Sequence, residues 1–214
     1  MKKDCFVIAV AGASGSGKTE LVKELARILN GSIMYFDNYS HLMEEIEEER
    51  EEEGENGKEN PNPRKLRISQ MTEDLKKLIA GEIIEEPKGG RIVKPAKYII
   101  IEDPHGRERN DIGQYYDYVV LVDTPLELCL VRVLIRMNEG EYIQREKTGE
   151  LIPQEKADPK EKLLILEKFI NGTYWTREHY IAINNYVRKK ADLILDGLSS
   201  VEEMAKEVKR KLNR

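Results

Sequence analysis

Eight consecutive residues near the start of the chain have the types and spacing of a phosphate-binding loop. They match the pattern G-x-x-x-x-G-K-[ST] and are Gly12, Ala13, Ser14, Gly15, Ser16, Gly17, Lys18 and Thr19. Glycines let a backbone fold so that several N–H groups point at one anion. The lysine can reach the β- and γ-phosphates of a nucleoside triphosphate, and the threonine hydroxyl can ligate magnesium. We therefore predict that this loop binds a nucleoside triphosphate with Mg²⁺.

The flanks of the loop support this assignment. Residues 5–11 form a short apolar run rich in valine and isoleucine, which is typical of a buried parallel strand. Residues 19–29 repeat apolar side chains at helical spacing, so a helix begins where the loop ends and adds the positive end of its dipole. A chance glycine-rich turn would lack this strand and helix.

Acidic residues follow two further short apolar runs. Asp37 comes after the run at 32–36, and Glu102 ends the run at 98–102. The carboxyl ends of parallel strands meet at one edge of a sheet, where ligands bind. Asp37 could take the proton of an acceptor hydroxyl or hold magnesium through water, or it could cap the next helix. Glu102 is placed for a magnesium or water contact, although a solvated loop carboxylate is the alternative.

Two pairs of arginines are candidates for binding anions. Arg107 and Arg109 follow Glu102 closely and could hold an acidic acceptor or the transferring phosphoryl group. The alternative is that they are surface arginines paired with nearby acids. Arg132 and Arg136 are one helical turn apart and could stabilise transition-state charge as arginine fingers do, or be solvated helix residues.

The alternation of strands and helices predicts the fold class. Runs at 118–123 and 192–196 read as strands, and apolar residues recur at helical spacing over 126–137 and 201–212. This pattern favours an α/β protein with three layers (α/β/α), a parallel five-stranded sheet and the P-loop NTPase arrangement. We expect one domain over residues 1–214. Within it, 44–63 is an acidic mobile insertion, either a solvated loop or a gate over the substrate, and 138–162 is a helical lid.

Composition excludes several classes of function. The net charge of −5 gives no sequence-wide attraction for nucleic acid, and no run approaches the roughly 20 apolar residues of a membrane span. The two cysteines lie in apolar runs, which indicates a reduced, cytoplasmic protein. The three histidines lack metal-ligand spacing. Neither an Asn-Lys-x-Asp base-reading motif nor a Leu-Ser-Gly-Gly signature occurs, which leaves small-molecule kinases as the main class.

The loop, together with the segment Tyr-Phe-Asp-Asn-Tyr that contains Asp37, resembles the uridine kinase and phosphoribulokinase family of P-loop kinases. The resemblance implies that Asp37 is the catalytic base and that Tyr39 is an aromatic residue of the substrate site. It also implies that Glu102 helps to organise magnesium. Arg132 and Arg136 resemble two arginines of the family's lid.

The resemblance implies a kinase without naming its acceptor, because two family segments are shortened. The hairpin that reads the pyrimidine base is reduced to a stretch around 86–92, and an Asn-Phe-Asp-His-Pro segment is reduced to 60–63. We expect γ-phosphoryl transfer from ATP to a hydroxyl of a nucleoside-like or related small molecule. A nucleoside monophosphate kinase, suited to Arg107 and Arg109, and a nucleotide switch or ATPase without an acceptor stay open. Whether the chain is a homodimer is open too.

Overall fold

A five-stranded parallel sheet forms the centre of the computed structural model, which describes residues 5–45, 63–138, 142–144, 151–153, 159–160 and 177–212. In chain order its strands are β1 (Phe6–Ala11), β2 (Ser32–Tyr35), β3 (Tyr98–Glu102), β4 (Tyr118–Asp123) and β5 (Leu193–Asp196). Across the sheet the order is β5-β4-β1-β3-β2, and every neighbouring pair is parallel. Because β1 lies in the middle of the sheet with both faces covered, its residues 7–11 are all apolar and fully buried.

Helices cover both faces of the sheet. They are α1 (Lys18–Leu29), α2 (Ser69–Ile79), α3 (Leu126–Asn138), α4 (Arg177–Lys190) and α5 (Val201–Leu212). Leu25 of α1 and Val208 of α5 share a core with one face, while Leu75 of α2 and Val187 of α4 share a core with the other. Each fully buried aliphatic side chain contributes about 1.5–3 kcal/mol. The predicted three-layer α/β architecture is confirmed.

Helix α2 is an addition to the elements predicted from the sequence. Its core face carries Met71, Leu75 and Leu78 at helical spacing. The start of the helix is fixed by a remote side chain, because the Asp111 carboxylate accepts hydrogen bonds from the backbone N–H of Ile68 at 2.8 Å and from the Thr72 hydroxyl at 3.2 Å. A carboxylate at this end also suits the helix dipole.

The two segments expected to interrupt the sheet are described only in part. Glu44–Glu45 pairs antiparallel with Leu66–Arg67, so the ends of the acidic insertion are held together, and residues 46–62 lie outside the described residues. In the expected lid, Tyr142–Gln144 pairs antiparallel with Leu151–Pro153; most of the remaining lid residues are not described. Within the described ranges, no helix has the length and apolar character that crossing a membrane requires.

Strand register decides which loops share an edge. Glu102, the last residue of β3, is level with Val10 of β1 on one side and with Tyr35 of β2 on the other. The loops that leave the carboxyl ends of these three strands therefore begin side by side. Two of these loops carry the phosphate-binding motif and Asp37, and Glu102 ends the third strand beside them, which is the convergence predicted from the sequence.

Candidate active site

The loop between β1 and α1 turns sharply through its glycines. Gly12, Gly15 and Gly17 have φ angles of 141°, 81° and 102°, which residues with a side chain rarely adopt. At Gly15 there is also no room for one, because a Cβ there would collide with the carbonyl oxygen of Cys129 on α3. The loop is therefore shaped by backbone freedom and by close packing under α3.

Lys18 lies across this loop. Its ammonium group donates a hydrogen bond to the carbonyl oxygen of Ala13 at 2.9 Å, and the residue is only 7% exposed. Burial lowers the pKa of Lys18, while the carboxylates of Glu102 and Asp37 act in the opposite direction. A buried ammonium close to two carboxylates marks the centre of the site and is placed to meet an anionic phosphate.

Thr19 and Glu102 offer oxygen atoms side by side. The Thr19 hydroxyl donates to the Glu102 carboxylate at 3.0 Å. Burial raises the pKa of Glu102, opposed by the charge of Lys18 and the hydrogen bond from Thr19. A hydroxyl and a carboxylate are ligands suited to Mg²⁺, which usually binds one or two protein carboxylates together with substrate phosphates. The described residues hold no cluster of three or more His, Cys, Asp or Glu that could bind a metal ion.

Asp37 is exposed at the end of β2, within a short 3-10 turn formed by Phe36–Asn38. It is close enough to Lys18 and Glu102 for its charge to raise the pKa of both. An exposed carboxylate beside the phosphate loop can accept a proton from a bound hydroxyl. The structure thus brings Asp37 to the loop, as the sequence predicts.

Two arginines of α3 reach the rim of the loop. Arg132 donates from Nη1 to the carbonyl oxygen of Gly15 at 3.2 Å, and Arg136 approaches the Ser14 hydroxyl at 3.5 Å. Both side chains are exposed. The charge of Arg136 also lowers the pKa of Lys18 and of Glu102. The predicted arginine pair therefore lies beside the predicted phosphate site, one helical turn apart.

Tyr39, expected to be an aromatic residue of the substrate site, is placed elsewhere. Its side chain is fully buried in the core beneath α2, and its hydroxyl donates to the Asp74 carboxylate at 3.2 Å. Burial raises its pKa, and the charge of Asp74 adds to the effect. Tyr39 therefore anchors the turn after β2 rather than presenting a ring to a ligand.

Arg107 and Arg109 are also committed to other partners. Arg109 is fully buried, with Nη1 3.3 Å from Asp103 and Nη2 2.7 Å from Asp111. Arg107 lies 2.7 Å from Asp192, and it donates to three backbone carbonyl oxygens, those of Tyr116, Asp117 and Lys190. The structure gives no support to the expectation that these two arginines hold an acceptor, so both are left out of the proposed site.

Thr124 is a residue of the site that the sequence analysis missed. It directly follows β4, and its hydroxyl donates to the carbonyl oxygen of Ser16 at 2.9 Å. This bond ties the middle of the phosphate loop to the neighbouring strand. Its position after a strand ending in Asp123 was a readable signal, but a threonine at the end of a strand is equally compatible with an ordinary turn.

This sheet order, with a glycine-rich loop leading from the central strand into a helix that starts at Lys18, defines the class of P-loop nucleotide-binding proteins. Comparison with known proteins gives the family. Residues 7–140 match the model of the Phosphoribulokinase / Uridine kinase family, which extends from β1 to the end of α3. The chain belongs to the phosphoribulokinase and uridine kinase family, and the family and its relatives indicate a kinase.

Individual relatives agree with this assignment. The chain is similar to a uridine kinase of Shewanella amazonensis, with 31% identity over 63% of this chain and 69% of that protein. It is 28% identical to a uridine kinase of Klebsiella pneumoniae subsp. pneumoniae, over 64% of this chain and 70% of that one. Among solved structures, shikimate kinase from Acinetobacter baumannii in complex with shikimate matches with a TM-score of 0.45 at 19% identity, covering 98% and 94%.

Proposed function

We propose that this protein uses ATP and Mg²⁺ to transfer the γ-phosphoryl group to a hydroxyl of a small molecule. One observation carries the proposal. The buried ammonium of Lys18, the hydroxyl and carboxylate pair of Thr19 and Glu102, and the exposed carboxylate of Asp37 converge at one edge of the sheet. These are a phosphate ligand, a pair of metal ligands and a base, the three parts that phosphoryl transfer needs.

Each group has a separate task in the proposed reaction. Lys18 and the backbone N–H groups of the loop bind the β- and γ-phosphates, and Arg132 and Arg136 compensate charge at the rim. Thr19 and Glu102 would hold Mg²⁺, which supplies further neutralisation of the phosphate charge when bound. Asp37 accepts the proton of the acceptor hydroxyl. The acceptor oxygen forms its bond to the γ-phosphorus while the bond from that phosphorus to the leaving ADP oxygen breaks.

The structure weakens one alternative. A phosphorylated acceptor, as in a nucleoside monophosphate kinase, was suggested by Arg107 and Arg109, and both guanidinium groups are bonded within the protein. An unphosphorylated acceptor is therefore favoured. Because the relatives are named uridine kinases, nucleosides are the first compounds to test.

The proposal is tested with wild type and Asp37→Asn. ATP consumption is measured against a panel of nucleosides, nucleotides, sugars and vitamins, and ATP binding is measured by calorimetry. We expect turnover with at least one unphosphorylated compound. Loss of a general base typically costs about 10²- to 10⁴-fold in rate, so Asp37→Asn keeps its affinity for ATP and loses turnover to that extent.

A matched variant separates this effect from a general loss of negative charge. Glu82→Gln changes an exposed acid in the loop after α2 and is expected to turn over like wild type. Unchanged turnover in Asp37→Asn would remove the proposed base. Slow ATP hydrolysis that no panel compound stimulates would instead favour a nucleotide switch without an acceptor.

A further inference from the structure

A buried carboxylate lies beside the turn that carries Asp37. Glu86 belongs to the short hairpin between Ile84–Glu85 and Ile92–Val93, and it is 0% exposed. Its carboxylate oxygens accept hydrogen bonds from three donors: the backbone N–H of Tyr35 at 3.1 Å, Nδ2 of Asn38 at 2.6 Å, and Nε of Arg91 at 2.8 Å. A buried carboxylate is tolerated only with such partners, so this geometry is closely determined.

The hairpin is fixed to the edge of the sheet through these side chains. In the five-stranded sheet β2 is an edge strand with β3 as its neighbour, so its outward backbone groups need other partners. Glu86 accepts from Tyr35, and Nη2 of Arg91 donates to the carbonyl oxygen of Ile33 at 2.6 Å. The Arg91 guanidinium also lies 5.0 Å from the centre of the Tyr35 ring. Side chains of the hairpin thus provide hydrogen-bond partners for backbone groups of β2, as an additional strand would.

The hydrogen bond from Asn38 to Glu86 links the hairpin to the turn that carries Asp37. Asp37 is exposed, but each of its neighbours is held by a different part of the protein. These contacts are Phe36 with the His105 ring at 5.5 Å between centroids, Asn38 with Glu86, and Tyr39 with Asp74. An exposed side chain between anchored neighbours keeps its backbone position while still reaching a ligand.

We propose that Glu86 is a positioning residue, which fixes Asp37 through Asn38 and the end of β2. The inference depends on the proposed function, in which Asp37 is the base. Misplacement of a catalytic group by about 1 Å can cost up to about 10²-fold in rate. Loss of Glu86 frees Asn38 and leaves the backbone N–H of Tyr35 without its acceptor. This loss should lower kcat without changing the affinity for ATP, because the phosphate loop follows β1 whereas Glu86 contacts the end of β2.

The first test compares Glu86→Ala, Asn38→Ala and the control Glu85→Ala, an exposed acid on the same hairpin. Folding is checked by circular dichroism and thermal melting. Turnover is measured with Mg²⁺, ATP and the panel compound that reacts fastest, or by hydrolysis of ATP with water as acceptor if none reacts. We expect kcat to fall about 10- to 100-fold in Glu86→Ala and Asn38→Ala, with KM for ATP within about twofold of wild type and Glu85→Ala unchanged.

Two features keep the test decisive. Arg91 is 39% exposed, so its charge can be solvated when Glu86 is removed. Asn38→Ala breaks the link to the turn while leaving Glu86 with Arg91 and Tyr35, so it tests the same link if Glu86→Ala does not fold. Folded variants with wild-type kcat would overturn the proposal.

A double-variant cycle shows whether Glu86 acts through Asp37. In the Asp37→Asn background we expect Glu86→Ala to cause no further loss of kcat, because the group that it positions is already gone. An equal loss in both backgrounds would mean that Glu86 acts elsewhere, and the proposed function would survive. Unchanged turnover in Asp37→Asn alone would instead remove the base itself, so the two failures are distinguishable.

Discussion

Replacement of Arg109 by methionine separates a structural from a substrate-binding role for this residue. The side chain is fully buried, and it bridges Asp103 at 3.3 Å and Asp111 at 2.7 Å. Methionine keeps most of the apolar volume and removes the charge. We expect a large loss of stability and, at temperatures where the variant is folded, an unchanged KM for the acceptor.

The size of the stability loss follows from the few partners that Asp103 keeps when Arg109 is replaced. Asp103 is fully buried and would keep only the Tyr116 hydroxyl at 2.7 Å and the backbone N–H of His105 at 3.0 Å among its described hydrogen bonds. Removing one partner of a buried ion pair costs about 3–5 kcal/mol, a large part of the roughly 5–15 kcal/mol that stabilises a domain. At about 2–4 °C per kcal/mol for a chain of this size, Tm should fall by about 6–20 °C.

The pH dependence gives a second signature. Burial disfavours the charged form of Asp103, but Arg109 and His105 outweigh it and lower its pKa from 3.8 to about 2. A carboxyl with a lowered pKa stabilises the fold above its unfolded value and loses that contribution as pH falls towards the folded value. The wild type therefore loses this contribution between pH 3.8 and about 2. The stability difference between wild type and Arg109→Met should shrink as pH falls towards about 2, because the Asp103 carboxyl is then neutral in both proteins and no longer needs Arg109 as a partner.

Urea unfolding followed by circular dichroism measures both effects. Arg107→Met is the matched control from the same loop, and since its ion pair with Asp192 is partly exposed it should cost only about 1–2 kcal/mol. An Arg109→Met protein with wild-type stability and a raised KM for the acceptor would refute the structural role.

Two further predictions concern the loop and its metal ligands. Gly15→Ala should weaken binding of Mg²⁺ and ATP at least about tenfold by calorimetry, since its Cβ meets Cys129. Gly89→Ala, with the same φ of 81° and open space around it, controls for backbone strain alone, and equal affinity losses in both would contradict the steric explanation. Burial raises the pKa of Glu102 above 4.5. The fall of kcat/KM on the acid side should therefore have its midpoint above pH 4.5, and saturating Mg²⁺ should move that midpoint to lower pH. A pH profile that Glu102→Gln leaves unchanged would exclude this residue.

The phosphate loop and its edge of the sheet were predictable because their signals are local. The motif from Gly12 to Thr19 occupies consecutive residues, and topology alone brings the ends of parallel strands together. Helix α2 was also readable, from Met71, Leu75 and Leu78, but these residues are separated by many polar ones.

The directions of loop side chains were not predictable in the same way. A sequence pattern places Arg109 after β3 without showing whether it points to solvent or to Asp103 and Asp111, although both acids are near in sequence. The role of Glu86 has no local signal at all, because its partners Tyr35 and Asn38 lie 51 and 48 residues away. Such contacts arise only when the hairpin packs on the edge strand.

Calorimetry of ATP binding tests the central claim most directly. Titrations of wild type, Lys18→Ala and the control Lys23→Ala, an exposed lysine of α1 paired with Glu20, are made with and without Mg²⁺. Loss of a charged hydrogen bond of about 2–3 kcal/mol corresponds to a roughly 30- to 150-fold weaker affinity. We predict magnesium-dependent binding in wild type and Lys23→Ala, with a loss of that size in Lys18→Ala. Absence of binding in wild type, or equal binding in Lys18→Ala, would contradict the account.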